Sequence, residues 1–118
     1  NDVALSKNGN IMVSGSVDET VRIWDVATGR TLNTLRGHKG FIASVAINAD
    51  GTMVLSGGRD QIVRLWEVNS GKLIHSMKGH EKAVWSVAFS PDGKTALSGG
   101  GDEVLRLWDL SSGLEISR

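Results

Sequence analysis

The chain has 118 residues, one domain's worth, with 13 basic residues balanced by 13 acidic ones, 15 glycines, one proline and no cysteine. Zero net charge without a local run of like charges argues against nucleic acid or an anionic membrane as partner, because both need a positive field; it also favours self-association over mutual repulsion. The lack of cysteine excludes disulfide scaffolds and thiolate metal sites. No segment reads as a signal peptide or a membrane span, so the cytoplasm is the default expectation for location.

In chain order, Val3-Ala4-Leu5-Ser6 is the remainder of a first strand. The second stretch is the clearest. Residues 42–47 are short, β-rich and bounded by glycine-bearing turns, so they are predicted as a strand. Asn48-Ala49-Asp50-Gly51-Thr52 turns, with Gly51 free to take positive φ. Residues 53–57 form the next strand and Gly58-Arg59-Asp60-Gln61 turns again. Residues 62–68 are apolar on both faces except at Arg64, which predicts a strand buried on both sides. After a turn at 69–72, residues 73–77 make an outer strand. The third stretch follows the same plan, with strands expected at 84–90, 95–99, 104–110 and 114–118. Its turn Ser90-Pro91-Asp92-Gly93 fixes φ by proline ahead of Asp-Gly. Gly99-Gly100-Gly101 reads as tight-turn chemistry, ahead of a mobile rim loop. No segment has helical periodicity.

These stretches are copies of one another. Trp24, Trp66 and Trp108 lie 42 residues apart, as do Asp18, Asp60 and Asp102, and Gly9, Gly51 and Gly93. Gly37-His38 recurs as Gly79-His80. A period of this length with Gly-His and Trp-Asp signatures is that of a four-stranded propeller blade. The expected fold is therefore all-β, with three blades of four antiparallel strands in a single domain, 1–118. Blade 1 covers about 1–36 and lacks the beginning of its first strand; blade 2 covers about 37–78; blade 3 covers about 79–118 and lacks the end of its last. Propellers have about four to eight blades, so three do not close, and homo-oligomerisation is expected to complete the ring.

The segments Asp18 to Asp25, Asp60 to Glu67 and Asp102 to Asp109, each preceded by Ser-Gly, together with the two Gly-His pairs, resemble the WD-repeat β-propeller family over essentially the whole chain. Glu67 stands where the other copies have aspartate. The resemblance implies a hydrogen-bonded tetrad in each blade: His38, Ser56, Asp60 and Trp66 in the second, and His80, Ser98, Asp102 and Trp108 in the third. Ser14, Asp18 and Trp24 are its members in the first, without their histidine, and that blade is expected to be the loosest. Buried hydroxyl, imidazole, carboxylate and indole groups need partners, and a closed network satisfies them together.

Ser56, His38 and Asp60 also spell a hydrolase triad. A set repeated at identical spacing, each time with its tryptophan, is scaffolding rather than a nucleophile. His75 stands alone on an outer strand, and no carboxylate cluster has metal-ligand spacing. No cofactor and no catalytic residue are therefore expected. Arg22, Arg64 and Arg106 recur in register, which points to a structural role. By resemblance, partners face the rim where the copies differ most: Phe41, Ala43 and Arg59, Ala83, Trp85 and Gly101, and Val17. Trp85 is the one tryptophan outside the register. Trp85, with Phe41 and Arg59, is the partner-binding candidate; packing between blades is the other role open to it.

The expected function is a non-enzymatic protein-interaction scaffold whose blades self-assemble into a closed propeller. The expected partners are the chain itself, as a nine-bladed homotrimer ahead of a six-bladed homodimer, and a protein or peptide on the rim. The alternative is a structural fragment, or an engineered building block, of a longer propeller with no activity beyond self-assembly.

Overall fold

The computed structural model describes residues 2–117, and its secondary structure is entirely strand and turn. The strands are β1 (Asp2–Leu5), β2 (Ile11–Gly15), β3 (Thr20–Asp25), β4 (Thr31–Arg36), β5 (Ile42–Ile47), β6 (Met53–Gly58), β7 (Ile62–Glu67), β8 (Leu73–Lys78), β9 (Val84–Phe89), β10 (Thr95–Gly100), β11 (Leu105–Asp109) and β12 (Leu114–Ser117). They form three sheets of four, each an up-and-down antiparallel meander in sequence order. These sheets are the three blades.

Each blade repeats the same local chemistry. The turn between its first two strands places Gly9, Gly51 or Gly93 at φ of 76°, 75° or 71°, a conformation that disfavours a side chain. The turn before the third strand places Glu19, Gln61 or Glu103 in the same left-handed region. The aspartate just before it accepts the N–H two residues on, from Thr20, Ile62 or Val104, which stabilises that conformation. In all three blades the ladder between third and fourth strands slips by one residue at the tryptophan. The third strand of blade 3 begins at Leu105, one residue later than its spacing predicts. Arg118, the last residue of the strand expected at 114–118, lies outside the described residues.

The sheets stack face to face through their inner strands, β1 on β5 and β5 on β9. Two apolar layers result. Val13, Val21, Ile23 and Leu35 of blade 1 meet Ile42, Val45, Val54, Trp66 and Val68 of blade 2. Leu55, Val63, Leu65 and Met77 on the other side of blade 2 meet Val84, Val87, Ala96, Trp108 and Leu110 of blade 3. Blade 2 is thus covered on both faces, as its doubly apolar third strand predicts. Glycine sets how closely the sheets approach: a Cβ on Gly57 would lie 2.6 Å from Val84 Cγ1, and one on Gly15 would collide with Ile42.

Candidate functional site: the blade networks and the rim

In blade 2, Trp66 Nε1–H donates to Ser56 Oγ at 2.8 Å. Ser56 Oγ lies 2.6 Å from His38 Nε2, and His38 Nδ1 lies 3.0 Å from Asp60 Oδ2. Nδ1 stands between the Asp60 carboxylate, which only accepts, and Arg64 Nη1, 2.8 Å away, which only donates. The indole N–H donates to the serine oxygen, which links it to the imidazole and through it to the carboxylate. Arg64 Nη1 also donates to Asp60, at 2.5 Å, and the Lys39 N–H does so at 3.1 Å. Burial alone would raise the Asp60 carboxyl, but hydrogen bonds from His38 and Arg64 outweigh it and hold the group well below its ordinary 3.8.

Blade 3 repeats the network with one change. Trp108 donates to Ser98 at 2.8 Å, Ser98 lies 2.7 Å from His80, and His80 lies 3.0 Å from Asp102. Here the arginine looks elsewhere: Arg106 Nη1 donates to both carboxylate oxygens of Glu115 and its guanidinium is 3.9 Å from Asp102. Glu115 pairs with Trp108 across the ladder, where Leu73 pairs with Trp66 in blade 2. That carboxylate on the fourth strand is what draws the guanidinium away. The Glu81 N–H holds the Asp102 carboxyl at about 2, helped by His80 and opposed by burial.

Blade 1 has the indole bond alone, Trp24 to Ser14 at 2.9 Å. Asp18 is exposed and turns to the hydroxyls of Ser16 and Thr20 and to Arg22. The Ser16 hydroxyl, then Thr20, holds the Asp18 carboxyl at about 2. Ser14, Asp18 and Trp24 are therefore not brought together as the other two sets are.

The Ser–His–Asp sets are not arranged for nucleophilic chemistry. Ser56 and Ser98 are fully buried, and each oxygen already accepts an indole N–H. An apolar cleft of about 640 Å³ between blades 2 and 3 is lined by Met53, Lys94, Thr95, Leu110 and Ile116 and contains none of these residues. Among the described residues no group of three or more His, Asp or Glu could hold a metal ion.

Of the rim candidates, Trp85, Phe41, Arg59 and Gly101 lie together. Trp85 is 54% exposed and stacks on Phe41 of the neighbouring blade, ring centroids 5.8 Å apart and planes 29° apart. The indole nitrogen sits over Gly101, where a Cβ would lie 3.1 Å from it, beside the Lys82 stem. Arg59 is exposed, its N–H donates to the Phe41 carbonyl, and its stem covers Gly40. Val17 is exposed as well.

Among the inter-blade hydrogen bonds, two recur in register and escape a reading of single repeats. The Val45 N–H donates to Asp2 Oδ2 at 3.0 Å, and the Val87 N–H to Ser44 Oγ at 3.2 Å. Each links residues 43 apart. The only sequence signal is a polar residue one place before a valine of the first strand, at Asp2, Ser44 and Ser86.

The sequence profile described as "WD domain, G-beta repeat" matches residues 1–25, 29–67 and 71–109. The chain belongs to the WD-repeat family. The matched repeats are out of phase with the sheets: 29–67 contains β4 of blade 1 and β5, β6 and β7 of blade 2. The second and third sequence repeats thus each span two blades and stitch them covalently. The dynein assembly factor with WD repeat domains 1 of Homo sapiens is 43% identical over 44 residues, 37% of this chain and 11% of that protein. The same factor of Xenopus laevis is 39% identical over 44 residues, with the same coverage. The nuclear distribution protein PAC1 of Fusarium vanettenii is 55% identical over 38 residues, 32% of this chain and 8% of that protein. The matched segment is about a tenth of the length of these curated relatives.

Proposed function

We propose that this WD-repeat chain is a non-enzymatic protein-interaction scaffold whose end blades join other copies in a closed propeller. The carrying observation is that the outer faces of blades 1 and 3 leave bare the positions that are covered between blades. Leu105 is 65% exposed, whereas Val63, its counterpart in blade 2, is fully buried. Val3 is 63% exposed, whereas its counterpart Val45 is 5% exposed. Apolar faces of this kind mark interaction surfaces. The nine-bladed trimer ranks ahead of the six-bladed dimer, because opening wedges at the rim costs less than crowding side chains at the centre. The names of the relatives, an assembly factor and a distribution protein, denote no chemical conversion, which supports a binding role.

The ring offers the Trp85–Phe41–Arg59 patch to a protein or peptide, since an exposed tryptophan beside arginine is the usual make-up of an interface hot spot. Trp85→Ala is expected to leave assembly intact, because the indole packs on Phe41 and not in either apolar layer. Sedimentation velocity over a dilution series tests the proposal. Wild type and Trp85→Ala should both sediment above the monomer; a wild-type monomer at every concentration contradicts the assembly, and a Trp85→Ala monomer makes the indole part of the joint.

A further inference from the structure

We propose that the outer face of blade 3 docks on the outer face of blade 1 of a second copy, in the register that both internal joints already use. This rests on the ring-forming function above and adds which residues meet. Three features that recur at the two internal joints have an unpaired third member at the chain's ends.

The first is the apolar layer. The face that blade 2 presents to blade 3 carries Leu55, Val63 and Leu65. The same positions in blade 3 are Leu97, Leu105 and Leu107, and the first two are exposed. The face that blade 3 presents to blade 2 carries Val87, Ala96, Trp108 and Leu110. In blade 1 the same positions are Val3, Met12, Trp24 and Val26, of which Val3 and Val26 are exposed. One chain therefore carries, on opposite ends, counterparts of these seven residues of a joint.

The second is a knob and a notch. Gly15 gives room to Ile42 and, next, to Val45, and Gly57 to Val84 and, next, to Val87: a Cβ on either would lie 3.0 or 3.1 Å from that second residue's Cγ1. Gly99 is the third such glycine, and within 4 Å its Cβ would meet only Leu105 Cδ2. In the same register, Val3 of a second copy stands where Val45 and Val87 do. The third is the polar latch. Asp2 accepts from Val45 N–H and Ser44 from Val87 N–H. Ser86 is exposed and, among the described residues, makes no side-chain hydrogen bond within the chain. The register assigns it the N–H of Val3 in the second copy. A joint between unlike faces repeats head to tail, which builds a ring when the rotation closes.

End-blocked variants test this. Leu97→Lys with Leu105→Lys blocks the blade 3 face, and Val3→Lys with Val26→Lys blocks the blade 1 face. All four residues are exposed in the single chain, and circular dichroism and tryptophan fluorescence confirm folding. Each variant alone should be monomeric, and an equimolar mixture should give a heterodimer through its one unblocked joint. Adding Ser86→Ala to the variant blocked on blade 1 should weaken that heterodimer about tenfold, as for a lost hydrogen bond that strands a covered N–H. Self-association of either variant alone overturns the head-to-tail joint, and so does a mixture that stays monomeric while wild type assembles. An unchanged heterodimer affinity with Ser86→Ala overturns the latch. A monomeric wild type overturns the assembly and this register together.

Discussion

Within each complete blade the serine is the hinge of the network, because its oxygen serves both the indole and the imidazole. Ser56→Ala strands a buried N–H of Trp66 and the Nε2 of His38, and should lower unfolding stability by about 1–3 kcal/mol in urea denaturation. Ser14→Ala should cost less, since Trp24 is half-exposed and water can replace the hydroxyl. Equal losses would mean that the second network adds nothing to its indole bond. Asp60 carries a pH dependence of definite sign. Its folded pKa lies below the ordinary 3.8, so its contribution is complete above about pH 4 and disappears as pH falls through the folded value. Asp60→Asn should thus be less stable than wild type above pH 4, with the gap narrowing on further acidification. A gap that widened below pH 4 would contradict the assignment.

The strands were legible because their turns are. Gly51 and Asp60 punctuate β6, and the repeat makes each boundary recur three times. What stayed hidden depended on neighbours. Glu115 draws Arg106 away from Asp102, but it pairs with Trp108 only because of a one-residue slip in the ladder, which spacing alone does not reveal. Asp2 and Ser44 act across blades, so no pattern within one repeat points to them. Trp85 left two roles open, and its exposed stack on Phe41 is a matter of geometry rather than spacing. Among the blades, blade 2 is covered on both sides and has a closed network, whereas blade 1 has an exposed face and no histidine. Amide hydrogen exchange of the end-blocked monomer should therefore be faster in β2 and β3 than in β6 and β7; equal protection would contradict this ordering. Gly57→Ala should destabilise the joint between blades 2 and 3 by about 1–3 kcal/mol, because the added methyl meets Val84 in a packed layer. Gly99→Ala should cost a single chain less, since Leu105 is exposed and can move aside, and should instead weaken assembly. Chemical denaturation of both variants, at a concentration where the end-blocked chain is monomeric, compares them directly.

At the scale of the molecule, three stacked sheets leave exposed apolar residues on both outer faces, and the proposed joint pairs those faces in the register of the internal ones. Identical joints repeated around an axis either close or grow without limit, and mass separates the two. Native mass spectrometry of the wild-type chain counts the copies. A single dominant species of three chains, or of two, is the result expected of a closed propeller. A monomer at all concentrations, or an open ladder of masses that lengthens with concentration, would contradict ring closure.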